Sequence, residues 1–371
     1  MRFNLQQTLE RRWKTIFRAD TNPTDRRPAC VASVTRNRAY ILPSHMKIGT
    51  IAGSMKSGTT WLMNLLDDHP QAFSRGEMHL LGEMPVEDPL IHLLLSGYPA
   101  QWPTLQQLMR HSHEFNTWWL KSNDCWNESY RSDPRAVGDA FQTDLLRFVF
   151  EWRTAHAIRT SSAGKDIQWI FDKSPIHYTD YYCLFNQCFA GYERAIIHLM
   201  RDPREVALSL WYHLRHMQFL QLQEHPESLE PADRQACLEL ATLEESDLDR
   251  QRHFFTVPDS LRLTLRHWTE VNASLHQAGK QGSCPYLVVH YRDLKRDKVG
   301  TLARIFGFLR LPIDRSTLGD YGRLTSEDGK PRPSTFRKGE LGEWRKWFTA
   351  EDQAIVSAEC GELMRVFGYE E

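Results

Sequence analysis

The sequence predicts an α/β fold with a central parallel β-sheet flanked by helices. An apolar run at 46–52 leads into a glycine-containing loop, which is followed by a helical pattern at 60–68. Three further apolar runs, at 168–171, 194–200 and 286–290, each precede a polar turn and a helical pattern. This alternation is typical of βαβ crossovers, and it predicts a ligand site at the carboxyl ends of the strands.

The length and composition of the chain favour one domain. Its 371 residues, 41% of them hydrophobic, can bury a large core, and we predict an N-terminal extension at 1–46 followed by a core at 47–371. The segments 87–107 and 214–252 do not follow the sheet pattern, and we interpret them as helical insertions that either cover the ligand site or are solvated. A formal net charge of −1 argues against a surface built for nucleic acid or anionic membrane, so any anion site must be local.

The cysteines and the apolar runs indicate the compartment. The seven cysteines are scattered, odd in number and never spaced as C-x-x-C, which favours a reduced, cytoplasmic environment and argues against a metal cluster. We find no signal-peptide pattern in the first twenty residues and no apolar run long enough to cross a bilayer.

The segment Gly53–Trp61 (GSMKSGTTW) is the strongest chemical signal. A glycine turn that opens a helix presents backbone N–H groups and the positive end of the helix dipole, which makes the fold P-loop-like and suits a phosphate-like anion. In a Walker A loop the lysine follows the last glycine, whereas here Lys56 precedes Gly58. A nucleotide kinase or ATPase, with Asp172 as the metal-binding aspartate, is therefore the weaker alternative.

Three segments together resemble the PAPS-dependent sulfotransferases, in which PAPS is 3′-phosphoadenosine 5′-phosphosulfate. The first, KSGTTW at 56–61, is similar to the loop that binds the 5′-phosphosulfate in that family. The second, RDPREVALSLWYH at 201–213, resembles the segment whose arginine and serine bind the 3′-phosphate. The third, at 337–348, resembles the R-K-G-x-x-G-D-W-K-N-x-F stretch that closes over PAPS, with Glu343 in place of the aspartate and Lys346 in place of the asparagine. The donor-binding residues implied by this resemblance are Lys56, Ser57, Gly58, Thr59, Thr60, Trp61, Arg201, Ser209, Arg337, Lys338 and Gly339.

The resemblance also implies a set of catalytic residues. Lys56 would stabilise the leaving oxygen, and Lys173 would assist at the sulfuryl group or the acceptor, unless it forms a structural ion pair with Asp172 or Asp202. The segment KSP at 173–175 is closer to carbohydrate and bacterial sulfotransferases than to the cytosolic phenol and steroid enzymes. The stretch RGEMHLL at 75–81 is similar to the K-E-x-H-F-F segment that supplies the base in those enzymes. We therefore predict Glu77 as the general base, ahead of His79 and then His177.

The expected reaction moves the sulfuryl group of PAPS to a hydroxyl or amine of a saccharide or a small natural product. PAP, the desulfated 3′-phosphoadenosine 5′-phosphate, would be the other product. The expected partner is thus a small-molecule or saccharide acceptor, with no nucleic acid and no transmembrane segment, and a homodimer is left open. A non-catalytic PAPS- or PAP-binding protein is a further alternative.

Overall fold

The structure of the chain is a computed structural model. It describes residues 42–74, 165–173, 185–224, 258–314, 318–321 and 339–369, except 187 and 283, together with a few helical positions between 147 and 159.

The sheet contains five strands, all parallel to one another, in the order β2-β3-β1-β4-β5. The predicted apolar runs form strands whose ends lie within two residues of the expected positions. A two-residue edge strand, β2, was not predicted from the sequence. The parallel sheet with flanking helices confirms the predicted fold class. The strands are β1 (Lys47–Ala52), β2 (Ala72–Phe73), β3 (Trp169–Lys173), β4 (Glu193–Met200) and β5 (Tyr286–His290).

Helices follow the strands in the manner predicted from the sequence. The helix after β4 begins at Pro203, which suits a first helical turn because proline has no N–H to leave unpaired there. It continues to Glu224, so the region predicted as an insertion at 214–252 begins inside this helix; residues 225–252 lie outside the described residues. The helices are α1 (Thr59–Asp67), α2 (Pro203–Glu224), α3 (Pro258–Gln281), α4 (Tyr291–Arg296), α5 (Lys298–Phe308) and α6 (Ala350–Val366), with a short 3₁₀ helix at Glu343–Lys346.

The helices cover both faces of the sheet. Ile197 and Leu199 of β4 belong to a buried cluster with residues of α1 and α5. Met200, which follows Leu199 and therefore points to the opposite face, packs with residues of α2, α3 and α6. Burial on both faces explains why the central strands read as nearly continuous apolar runs.

The strand register brings four chain segments together at one edge of the sheet. Ile51 is aligned with Lys173, Ala52 with His198, and Met200 with His290. The residues that follow β1, β4 and β5, and Lys173 at the end of β3, therefore all lie at the carboxyl edge. None of the helices among the described residues is long and apolar enough to span a membrane.

Candidate anion-binding site

The loop between β1 and α1 folds tightly around the start of the helix. Lys56 has a φ of 63° and Gly58 a φ of 100°, both in the left-handed region. Ser57 N donates to the carbonyl oxygen of Ser54 (3.1 Å), which closes the turn. Gly58, the N-cap residue, has no side chain with which to cap α1, and the first turn of the helix carries no acidic residue. Trp61 N and Leu62 N both donate to the carbonyl oxygen of Gly58, so the N–H groups of Thr59 and Thr60 are the ones that an anion could accept from.

Only glycine fits at position 58, because of the backbone conformation there and the side chain next to it. A Cβ atom at this position would lie 2.7 Å from the ring of Tyr291, well inside van der Waals contact. The positive φ is also strained for any residue with a side chain. The glycine therefore allows an aromatic ring to approach the loop backbone directly.

Two serine hydroxyls of the loop are buried. Ser54 and Ser57 are at most 1% exposed, and neither Oγ has a hydrogen-bond partner within the described part of the chain. An unpaired buried hydroxyl is costly, so a ligand that accepts a hydrogen bond there would be favoured. Among the other predicted hydroxyl donors, Thr59 is buried and Thr60 is exposed.

Cations from different segments of the chain lie close to one another beside this helix N-terminus. Burial and the neighbouring Arg201 guanidinium lower the pKa of Lys56 to about 8. Burial and the nearby charge of Lys56 lower the pKa of Lys173 to about 7. Cations that repel one another in a buried site gain most when an anion joins them. The residues present thus fit a ligand that carries phosphate or sulfate groups.

Arg201 braces the loop as well as contributing charge. Its Nη1 donates to the carbonyl oxygen of Lys56 (2.9 Å), and its Nε donates to Oε2 of Glu205 (3.1 Å). Its guanidinium carbon lies 4.3 Å from the ring centroid of Tyr291. Ser209 is half-buried on α2, one turn beyond Glu205 and on the same face of that helix.

The C-terminal segment reaches the same place. Tyr291 OH donates to the carbonyl oxygen of Gly339 (3.3 Å), and Gly342 N donates to Oε1 of Glu205 (2.8 Å). The guanidinium of Arg204, paired with Asp202, stacks 3.9 Å from the ring centroid of Trp344. Gly339 and the two segments that supply Lys56 and Arg201 are therefore joined by direct contacts.

Trp61 is held by packing on two sides. Its ring meets Tyr291 edge-on, with centroids 5.6 Å apart, and packs against the core cluster on the α1 face of the sheet. Lys295 Nζ lies 5.7 Å from its ring centroid. Packing against the core and Tyr291 thus fixes the position of Trp61, which the resemblance gives as a donor-binding residue.

Several predicted residues lie outside the described residues. They are the three candidate bases and the first two residues of the segment 337–348: Glu77, His79, His177, Arg337 and Lys338. Conversely, sequence reasoning missed Tyr291 and Glu205. Tyr291 directly follows β5, so the rule that ligands bind at strand ends could have found it. Glu205 lies four residues after Arg201, the spacing of an ion pair at a helix start.

Comparison with known proteins identifies the family. The sulfotransferase domain matches residues 182–368, and the sulfotransferase family matches residues 50–258; each match covers more than half of the chain. The chain belongs to the sulfotransferase family. The predicted PAPS-dependent sulfotransferase is thereby confirmed as a family and as a class of enzyme, with sulfuryl transfer as its general reaction. The kinase or ATPase alternative gains no support.

Solved structures similar to this sulfotransferase are distant in sequence. The sulfotransferase domain of the Synechococcus PCC 7002 olefin synthase is 19% identical, with a TM-score of 0.46, and the match covers 91% of this chain and all (100%) of that one. Mouse sulfotransferase SULT7A1, solved with PAP, is 15% identical with a TM-score of 0.45, covering 88% and 87%. STF9 from Mycobacterium avium is 16% identical with a TM-score of 0.41, covering 89% and 78%. No curated protein shows a significant match. Because these TM-scores lie below 0.5, the family assignment rests on the domain matches.

Proposed function

We propose that this sulfotransferase transfers the sulfuryl group of PAPS to a hydroxyl of a saccharide or a small natural product. One observation carries the proposal: Lys56, Lys173 and Arg201, from three different segments, lie close together beside the N-terminus of α1. The Ser57 hydroxyl next to them is buried and has no partner among the described residues. Such a site favours a ligand with several negative charges.

The two ends of PAPS would be held by different parts of this site. The 5′-phosphosulfate would take the N–H groups of the Lys56 loop, the Ser57 hydroxyl and the Lys56 ammonium group. Arg201 and Ser209, with Arg337 to Gly339, would receive the 3′-phosphate, as the family resemblance implies. The hydrogen bond from Arg201 to the Lys56 carbonyl oxygen supports this proposal, because it places the two phosphate-binding segments next to each other.

The chemistry follows from this placement. The acceptor oxygen forms a bond to sulfur as the bond between sulfur and the bridging phosphate oxygen breaks, and PAP departs with the electron pair. The negative charge of the bound phosphates favours the protonated, positively charged form of Lys56 and Lys173. The two ammonium groups then stabilise the negative charge on the leaving and equatorial oxygens. The proton of the acceptor hydroxyl passes to a base, for which Glu77 is our candidate.

The acceptor class rests on the segments around Lys173 and Glu77. The KSP segment that begins at Lys173 and the glutamate of RGEMHLL are features shared with carbohydrate and bacterial sulfotransferases. By this resemblance, both favour the hydroxyl of a saccharide or a natural product over a phenol.

The direct test is sulfation of a panel of saccharides and natural-product alcohols with labelled PAPS, read by mass spectrometry. We expect a sulfated alcohol from the wild-type chain. Glu77→Gln should lower turnover at least a hundredfold, in the range typical of lost acid–base catalysis, while PAP binds as before. Glu362→Gln, which changes an exposed carboxylate on α6, is the matched control and should retain turnover.

Two results would contradict this proposal. PAP binding with no transfer to any alcohol or amine would favour the non-catalytic alternative, and full turnover of Glu77→Gln would remove that residue as the base.

A further inference from the structure

Tyr291 contacts all three segments that resemble the donor site. It is the first residue after β5, begins α4, and is only 3% exposed. Because β5 lies beside β4, the fold places this side chain next to Arg201 at the carboxyl edge of the sheet. No resemblance assigned it a role.

One side of the tyrosine ring supports the loop. Its ring occupies the space that a side chain at position 58 would need, and it meets Trp61 edge-on. The left-handed Gly58 and the start of α1 are thus packed against a rigid ring with two rotatable bonds. This packing limits the positions that the first N–H groups of α1 can adopt.

The same ring holds Arg201 without neutralising it. A cation over an aromatic face is attracted to the ring quadrupole but keeps its full charge and its N–H donors. Glu205, which forms an ion pair with Arg201, does cancel charge. Tyr291 therefore orients the arginine while leaving it attractive to an anion.

The hydroxyl of Tyr291 reaches the third segment through its bond to the Gly339 carbonyl. Burial raises the pKa of this phenol above its ordinary value, so it stays protonated and donates throughout the neutral range. Gly339 itself has a φ of 61°, so the chain turns at the point where the tyrosine holds it.

We propose that Tyr291 is a positioning residue that joins the Lys56 loop, Arg201 and the segment beginning at Gly339 into one pre-formed donor site. The proposal rests on PAPS being the donor. The hydroxyl of Tyr291 fixes the segment that begins at Gly339, and the ring of Tyr291 fixes the loop and Arg201. The two parts can be separated by mutation.

The experiment compares Tyr291→Phe and Tyr291→Leu in the full chain. Loss of the hydroxyl bond should raise the Kd of PAP and the KM of PAPS about fivefold, with kcat at saturating PAPS within about twofold of wild type. Loss of the ring as well should weaken PAP binding by a further threefold or so. Hydrogen exchange should show that PAP protects residues 339–348 less in Tyr291→Phe than in wild type.

The matched control is Tyr286→Phe, at the opposite end of β5, whose hydroxyl bonds to His198 (2.6 Å). It should lose stability as Tyr291→Phe does but bind PAP normally. Wild-type PAP affinity and unchanged protection in Tyr291→Phe would overturn the positioning role. Absence of PAP binding by the wild-type chain would instead overturn the proposed donor, on which this role depends.

Discussion

At the scale of single residues, Lys56 and Lys173 hold their protons less firmly than ordinary lysines do. Burial and the nearby charge of another cation, Arg201 for Lys56 and Lys56 for Lys173, lower the pKa of Lys56 to about 8 and that of Lys173 to about 7. The free site thus contains lysines that are partly neutral at physiological pH. A bound polyanion would reverse this, because negative charge favours the ammonium form.

Binding of PAP should therefore take up protons. In the free protein the two lysines lose their protons as the pH rises through about 7 and then 8. In the complex they keep them to higher pH, so the affinity for PAP should fall as the pH rises from 7 towards 9.5, by up to about tenfold per unit for each lysine that must be reprotonated. Calorimetry in two buffers of different ionisation enthalpy measures the uptake directly.

Lys280→Met supplies the control for this titration. Lys280 is an exposed lysine in the last turn of α3, and its removal should leave the proton uptake unchanged. Proton release on binding, or an affinity that is constant from pH 7 to 9.5, would show that the two lysines do not contact the ligand's charge.

At the scale of the element, the unit formed by β1, the loop and α1 depends on Gly58. Its left-handed φ and the nearness of the Tyr291 ring leave no room for a side chain. Gly58→Ala should displace the ring or the loop and weaken PAP binding at least tenfold, besides lowering stability by about 1 kcal/mol or more. Urea unfolding and PAP titration measure the two effects separately.

Gly307→Ala makes the same chemical change where the structure can accept it. Gly307 lies in α5, and an added Cβ would meet nothing closer than 4.0 Å. This variant should bind PAP normally and gain roughly 0.5–1 kcal/mol, because alanine is the better helix former. If Gly58→Ala behaved like Gly307→Ala, the close packing of the tyrosine on the loop would be disproved.

The sequence predicted an element well where the residues that begin and end it lie within the element itself. The loop from Gly53 to Trp61 and the turn from Arg201 to Pro203 carry their own boundary residues, so both were predictable to within a residue. Strand β2 has only two residues and shows no alternation, and α2 passes beyond 214 because no glycine or proline ends it there. The contacts of Tyr291 arise from the pairing of β5 with β4, which no local pattern encodes.

At the scale of the whole molecule, the strand order explains why distant segments form one site. Parallel strands bring all their carboxyl ends to one edge, so Lys56, Lys173, Arg201 and Tyr291 converge although more than two hundred residues separate the first from the last. The two sulfotransferase matches overlap at 182–258, the stretch that contains Arg201. That the chain forms a single domain remains a prediction.

The central claim is that this edge binds the sulfuryl donor through Lys56 without a metal. Isothermal titration of PAP into the wild-type chain and Lys56→Met, in buffer containing EDTA, tests it most directly. We predict metal-independent binding by wild type and a loss of at least about thirtyfold in Lys56→Met, since truncating one partner of a buried charge pair costs 2 kcal/mol or more. Equal affinity of the two proteins for PAP, or binding that requires Mg²⁺ and prefers ATP, would contradict it.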